Sequence, residues 1–74
     1  MNVLKSKDTS RPGNDCYVYE KVFIIEQFDI YAVIVCEKVS GWAECNEVRV
    51  DHVSTDYPSA LRYFNDFVSL REND

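Results

Sequence analysis

The sequence predicts an α+β fold: a three-stranded antiparallel sheet followed by one C-terminal helix, in the order β-β-β-α. Three observations predict it. Residues 16–53 are dense in β-branched and aromatic side chains, which suit a pleated surface. Breaks at Phe28-Asp29 and Ser40-Gly41 divide that stretch into three runs. From Tyr57 onward, the apolar residues change from alternation to helical spacing. Residues 1–15 are expected to be a flexible tail, and residues 16–74 a single α+β domain.

The tail is read from its residue types. Ser6, Asp8, Thr9, Ser10, Pro12, Gly13, Asn14 and Asp15 favour turns and show no apolar period. The first strand follows from Cys16 to Phe28. One side carries Tyr17, Tyr19, Phe23 and Ile25, and the other Val18, Val22, Ile24 and Phe28 with Glu20 and Glu26. Phe28-Asp29 is read as a turn that no glycine marks. In the second strand, Ile30–Val39, one face carries Ile30, Ala32, Ile34 and Cys36 and the other Tyr31, Val33 and Val35, as in a central strand covered on both sides. Ser40-Gly41 is expected to be a tight turn. The third strand, Trp42–Val53, sets Val48 and Val50 against Glu47, Arg49 and Asp51, the pattern of an edge strand with one wet face. Ser54, Thr55 and Asp56 can each cap a helix, and Pro58 fits its first turn. Tyr57, Ala60, Leu61, Phe64, Phe67 and Val68 then form one apolar stripe, which Tyr63 and Leu70 widen. Arg62 and Asp66 are spaced to pair on the wet side. One helix can cover one face of such a sheet, so the other apolar face predicts self-association or a partner protein.

Composition narrows the functional classes. The chain has 74 residues, a formal net charge of −5 and 46% apolar residues. Two glycines cannot build a phosphate-cradling loop or a dinucleotide fingerprint. The apolar run Ile30–Cys36 is too short to cross a membrane, and the N-terminus has no signal-peptide core, so a cytoplasmic protein is expected. The charge is +1 over residues 1–15 and −6 over residues 16–74. An acidic body repels phosphate backbones and suits a basic protein partner, so no direct nucleic-acid binding is expected.

No constellation of catalytic residues emerges. Cys16, Cys36 and Cys45 lack paired metal-ligand spacing, although Cys36, Cys45 and His52 could approach one another if a two-residue turn set Cys36 opposite Cys45. They are read as small buried thiols, with no metal and no cofactor expected. His52 follows Asp51 near a strand end and is expected to be exposed; no nucleophile motif accompanies it. Glu37, Glu44, Glu47 and Asp51 cluster around the second hairpin and third strand, and are read as an acidic strip imitating phosphates in a basic groove. Tyr17, Tyr19, Tyr31 and Trp42 are read as aromatic anchors of the same contact.

Tyr17-Val18-Tyr19, Tyr31-Ala32-Val33-Ile34, Val53-Ser54-Thr55-Asp56 and Leu70-Arg71-Glu72-Asn73-Asp74 resemble a family of small acidic bacterial proteins of unknown function. That resemblance spans residues 17–74 and implies a three-stranded sheet followed by helices. The family carries a glycine where Ala32 stands and continues past the position of Asp74 into a second short helix. It implies no catalytic residues. In size and acidity the chain is also similar to phage-encoded inhibitors such as anti-CRISPR proteins, which would place it in a host cytoplasm. The function expected is a non-catalytic inhibitor that binds a nucleic-acid-handling enzyme, such as a nuclease, through a basic surface. The alternative is a homodimeric structural or regulatory module, and a homo-oligomer is expected in either case.

Overall fold

The structure, a computed structural model, describes residues 1–41 and 45–72. Its elements are β1 (Asn2–Asp8), β2 (Arg11–Gly13), β3 (Cys16–Gln27), β4 (Ile30–Gly41), β5 (Cys45–Ser54) and α1 (Tyr57–Glu72). All five strands belong to one antiparallel sheet in the order β1-β3-β4-β5, with β2 beside the first residues of β3. The α+β class and the C-terminal helix agree with the sequence; the three-stranded count does not.

The two additional strands come from the segment expected to be a tail. β1 pairs with Lys21–Glu26 of β3, and β2 pairs with Cys16–Val18. The reason lies in β3, whose 12 residues would otherwise present an unpaired edge of N–H and C=O groups. The turn-forming residues make the connections instead of a coil. Asp8 Oδ1 accepts the Ser10 N–H at 2.9 Å, and Asn14-Asp15 links β2 to β3 with Asp15 at φ 56°.

The β3–β4 hairpin turns at Phe28-Asp29, where the sequence placed it. Gln27 pairs with Ile30, and both intervening residues have positive φ, 54° and 63°. That is the backbone of a two-residue primed turn, normally supplied by Asn-Gly. The Glu26 carboxylate accepts the Asp29 N–H at 3.0 Å. At the other end, Ser40 and Gly41 are not a turn. They continue β4 opposite Tyr17 and Cys16, because β3 reaches that far. Trp42 and Glu44 lie outside the described residues.

Cross-strand register assigns the faces. Val22 and Ile24 of β3 stand opposite Val35 and Val33 of β4. Ala60, Phe64 and Phe67 of α1 close over them to make the buried core. The helix begins where Asp56 Oδ2 accepts the Ser59 N–H at 2.9 Å, so Asp56 is the residue of the three that caps it. The predicted stripe packs as expected except at Leu70, which is exposed. Arg62 and Asp66 are exposed and form no ion pair among the described residues. The Cα envelope measures 41 × 24 × 14 Å, a thin slab with α1 on one side. No helix among the described residues is long and apolar enough to cross a membrane.

Candidate functional site

The second face of the sheet is the feature the fold leaves unused. Directly opposed residues of neighbouring strands project on the same side. One row across the sheet is therefore Val3, Ile25, Ala32 and Val53. The next is Ser6, Phe23, Ile34 and Val50. Beyond them come Asp8, Lys21, Cys36 and Val48, and then Tyr19, Lys38 and Asn46. No described element covers these rows. Val48 is 72% exposed, Val50 59% and Val53 58%. The wet side of β5 is thus the valine side, the reverse of the expectation. Register with Cys36 and Ile34 fixes it, since α1 lies on the other face.

Tyr17 and Tyr19 stand on this open face, their rings 4.7 Å apart and tilted by 57°. A shallow groove of about 460 Å³ at that end is lined by Tyr19, Lys21, Cys36, Lys38 and Val48, among others. Cys16 and Cys36 are free thiols. Cys36 stands opposite Val48, whereas the backbone of Cys45 pairs with Val39, so Cys36 and Cys45 do not oppose each other. The described residues contain no group of three or more His, Cys, Asp or Glu side chains placed to hold a metal.

The other predicted site residues that are described, Tyr31, Glu37, Glu47 and Asp51, fall on the covered face. Tyr31 packs against the core and meets Tyr57 edge-on at 5.9 Å, so it is part of the interior and not a contact anchor. Glu37 is half-buried, with Glu20 opposite on one side and Glu47 on the other. Asp51 is the extra residue of a bulge, because His52 opposes Val33 while Val50 opposes Ile34. Its carboxylate accepts from Arg49 Nε at 2.7 Å and from the Tyr63 hydroxyl at 3.3 Å. Burial and that carboxylate push the Tyr63 hydroxyl up from its ordinary value. Arg49 also lies 4.0 Å from Glu47. Asp51 therefore pairs closely with Arg49, Glu47 lies 4.0 Å from it with a side chain 51% exposed, and Glu37 is half-buried, so the three do not form one uniformly exposed strip. His52 is half-buried, stacked on Tyr63 at 5.0 Å with 8° between the rings.

The sequence reading missed the most constrained carboxylate. Glu20 is 2% exposed and receives Thr9 Oγ1 at 2.8 Å, Arg11 at 2.9 Å and Arg71 Nε at 2.8 Å. Burial alone would raise its pKa, but the bonds from Arg71 and Thr9 prevail and hold it at about 2. Burial, followed by the facing Glu20, pushes Glu37 the other way. A signal was present: Glu20 shares a face with Val18, Val22 and Ile24, and a buried carboxylate must find cations. The nearest one through space, Arg71, lies 51 residues away in sequence, where no local pattern reveals it.

No protein-family model matches the chain, and no curated protein or solved structure does so either. The candidate site is therefore defined by geometry alone: an apolar sheet face that no described element covers, beside a helix-covered face where Glu20 and Asp51 are paired with arginines.

Proposed function

We propose that the protein acts without catalysis, by binding another protein through the open face of its sheet. The observation that carries this reading is the pair of contiguous apolar rows centred on Phe23, Ile25, Ala32 and Ile34, which no described element covers. Soluble monomers rarely expose such contiguous apolar surface, and burying it is favourable by about 25 cal/mol per Å². Tyr17 and Tyr19 at the rim add side chains that are commonly enriched in interfaces. A cytoplasmic setting belongs to the same reading and accords with the free thiols of Cys16 and Cys36.

Affinity capture from the cells that make the protein tests this, with wild type compared against Phe23→Glu. A protein retained by wild type and lost with the folded variant supports the reading. Equal retention by both moves the binding surface elsewhere.

A narrower form makes the protein an acidic inhibitor of a nucleic-acid-handling enzyme. It is supported by the net charge of −5 and by exposed carboxylates at Asp29, Asp56, Asp66 and Glu72. Since Asp51 and Glu47 lie against Arg49 and Glu37 is half-buried, these exposed groups are the better phosphate mimics. Binding to a basic nuclease should then weaken by about tenfold or more between low and high salt. An affinity indifferent to salt removes the mimicry and leaves the apolar face as the binding element.

A further inference from the structure

The open face needs an occupant, and its charge pattern favours one. Among the described residues, the charged side chains on it are Asp8, Lys21 and Lys38, all rooted toward the Tyr19 end, with the Lys21 ammonium reaching over the edge of the apolar rows to 6.0 Å from the Phe23 ring centroid. The two rows centred on Phe23 and Ile25 hold none. A basic protein would seek carboxylates there and find one, already beside Lys21 in the register. A phosphate backbone would need a dense basic surround, which two lysines do not make. For a second copy of this chain the face is well suited. The molecule carries a net charge of −5, so two copies repel across most of their surface. The open face is nearly neutral, and its centre is apolar.

The dimensions are also sufficient. The broad side of the slab is 41 × 24 Å, about 980 Å². A stable interface takes about 800 Å² from each partner. Antiparallel sheets stack readily at about 10 Å through alternating apolar side chains.

We propose that a second copy of the chain covers the open face, packing the two sheets together about a two-fold axis with both helices outside. This rests on the reading that the face binds protein, and it names that protein. Phe23 and Ile34, opposed in the register, lie at the centre of the contact. Tyr17, Tyr19 and the lysines form its rim.

Sedimentation velocity of the full chain through the micromolar range is the test. The expected species is twice 8.6 kDa. Ile34→Glu sets a carboxylate against Phe23 and should weaken association by about 100-fold or more, with the far-UV circular dichroism retained. Val50→Glu is the companion variant, at an edge position 59% exposed in the single chain, where folding does not depend on the valine. It should weaken association in the same direction and decides the matter if Ile34→Glu does not fold. Leu70→Glu, on the outer side of α1, should leave the dimer intact. A strictly monomeric wild type overturns the proposal, as does a dimer that the folded face variants leave unchanged. The broader reading fails separately, when Phe23→Glu alters nothing that the protein retains from its own cells.

Discussion

Glu20 shows how one buried carboxylate can organise several segments. Its three partners come from the β1–β2 connection, β2 and the last turn of α1. Because its folded pKa is depressed to about 2, its stabilisation is full above the ordinary glutamate value and is lost as pH falls through that range. Urea midpoints should therefore fall between about pH 4.5 and pH 2, and Glu20→Gln should flatten that decline while lowering stability at neutral pH by about 2–3 kcal/mol. Arg11 and Arg71 are partly exposed and can rehydrate, which keeps the loss at the lower end for a broken buried pair. Glu37 has the opposite sign. Its pKa is raised in the folded state, so ionising it costs stability as pH rises from the ordinary value through the raised one. Glu37→Gln should thus raise the urea midpoint at pH 7 and change it little at low pH, where wild type is already protonated. A variant less stable at pH 7 would show that Glu37 is held by bonds stronger than its repulsion from Glu20.

At the scale of elements, the Phe28-Asp29 turn is a local conflict that the rest of the sheet overrides. A bulky residue at positive φ is disfavoured, and here two adjacent non-glycine residues adopt it. The 12-residue pairing of β3 with β4 imposes the turn. Replacing Phe28 by Asn together with Asp29 by Gly should stabilise the fold by about 1–2 kcal/mol, seen as a higher thermal midpoint. An unchanged midpoint would mean that exposed Phe28 already regains the strain through contacts of its own. β1 permits a second test. Removing residues 1–10 deprives β3 of its neighbour and Glu20 of Thr9. The truncated chain should lose at least about 2 kcal/mol, or its cooperative unfolding altogether. A tail without structural role would leave the transition where it was.

These elements also show what the sequence made legible. Alternation in β3 and β4 identified their two faces residue by residue, because strand geometry leaves no other arrangement once the hairpin is placed. The helix was legible from its stripe and its cap. β1 was hidden because most of its residues are polar, and its stability comes from β3's open edge and from Lys5 lying over Phe64 with Nζ 5.3 Å from the ring centroid. Neither is a local property. The bulge at Asp51 was hidden for a related reason: one extra residue reverses a strand's phase, and only its partner strand reveals it. The acidic strip was read from proximity in sequence, but Arg49 intervenes and Tyr31 points into the core.

For the whole molecule, the two faces of the sheet divide the work. One is sealed by α1 and makes the core; the other holds a comparable set of apolar side chains with nothing described above it. An assembly coupled to folding in this way makes thermal stability depend on concentration. The melting temperature should rise with protein concentration for wild type and remain constant for Val50→Glu. A wild-type midpoint independent of concentration would set the stability of the single chain apart from any association.

The bulges in both outer strands bear on how far such assembly can go. β1 shifts register between Val3 and Lys5, and β5 meets an irregularity between Val33 and Ile34 of its neighbour. A kinked outer strand, which in β1 also carries Lys5 and Lys7, is a poor template for another chain's backbone. Growth through strand edges has no natural end and leads to fibres, whereas a face used once by each of two copies closes on itself. In the proposed dimer the irregularities would therefore act as stops, favouring a finite particle over polymerisation.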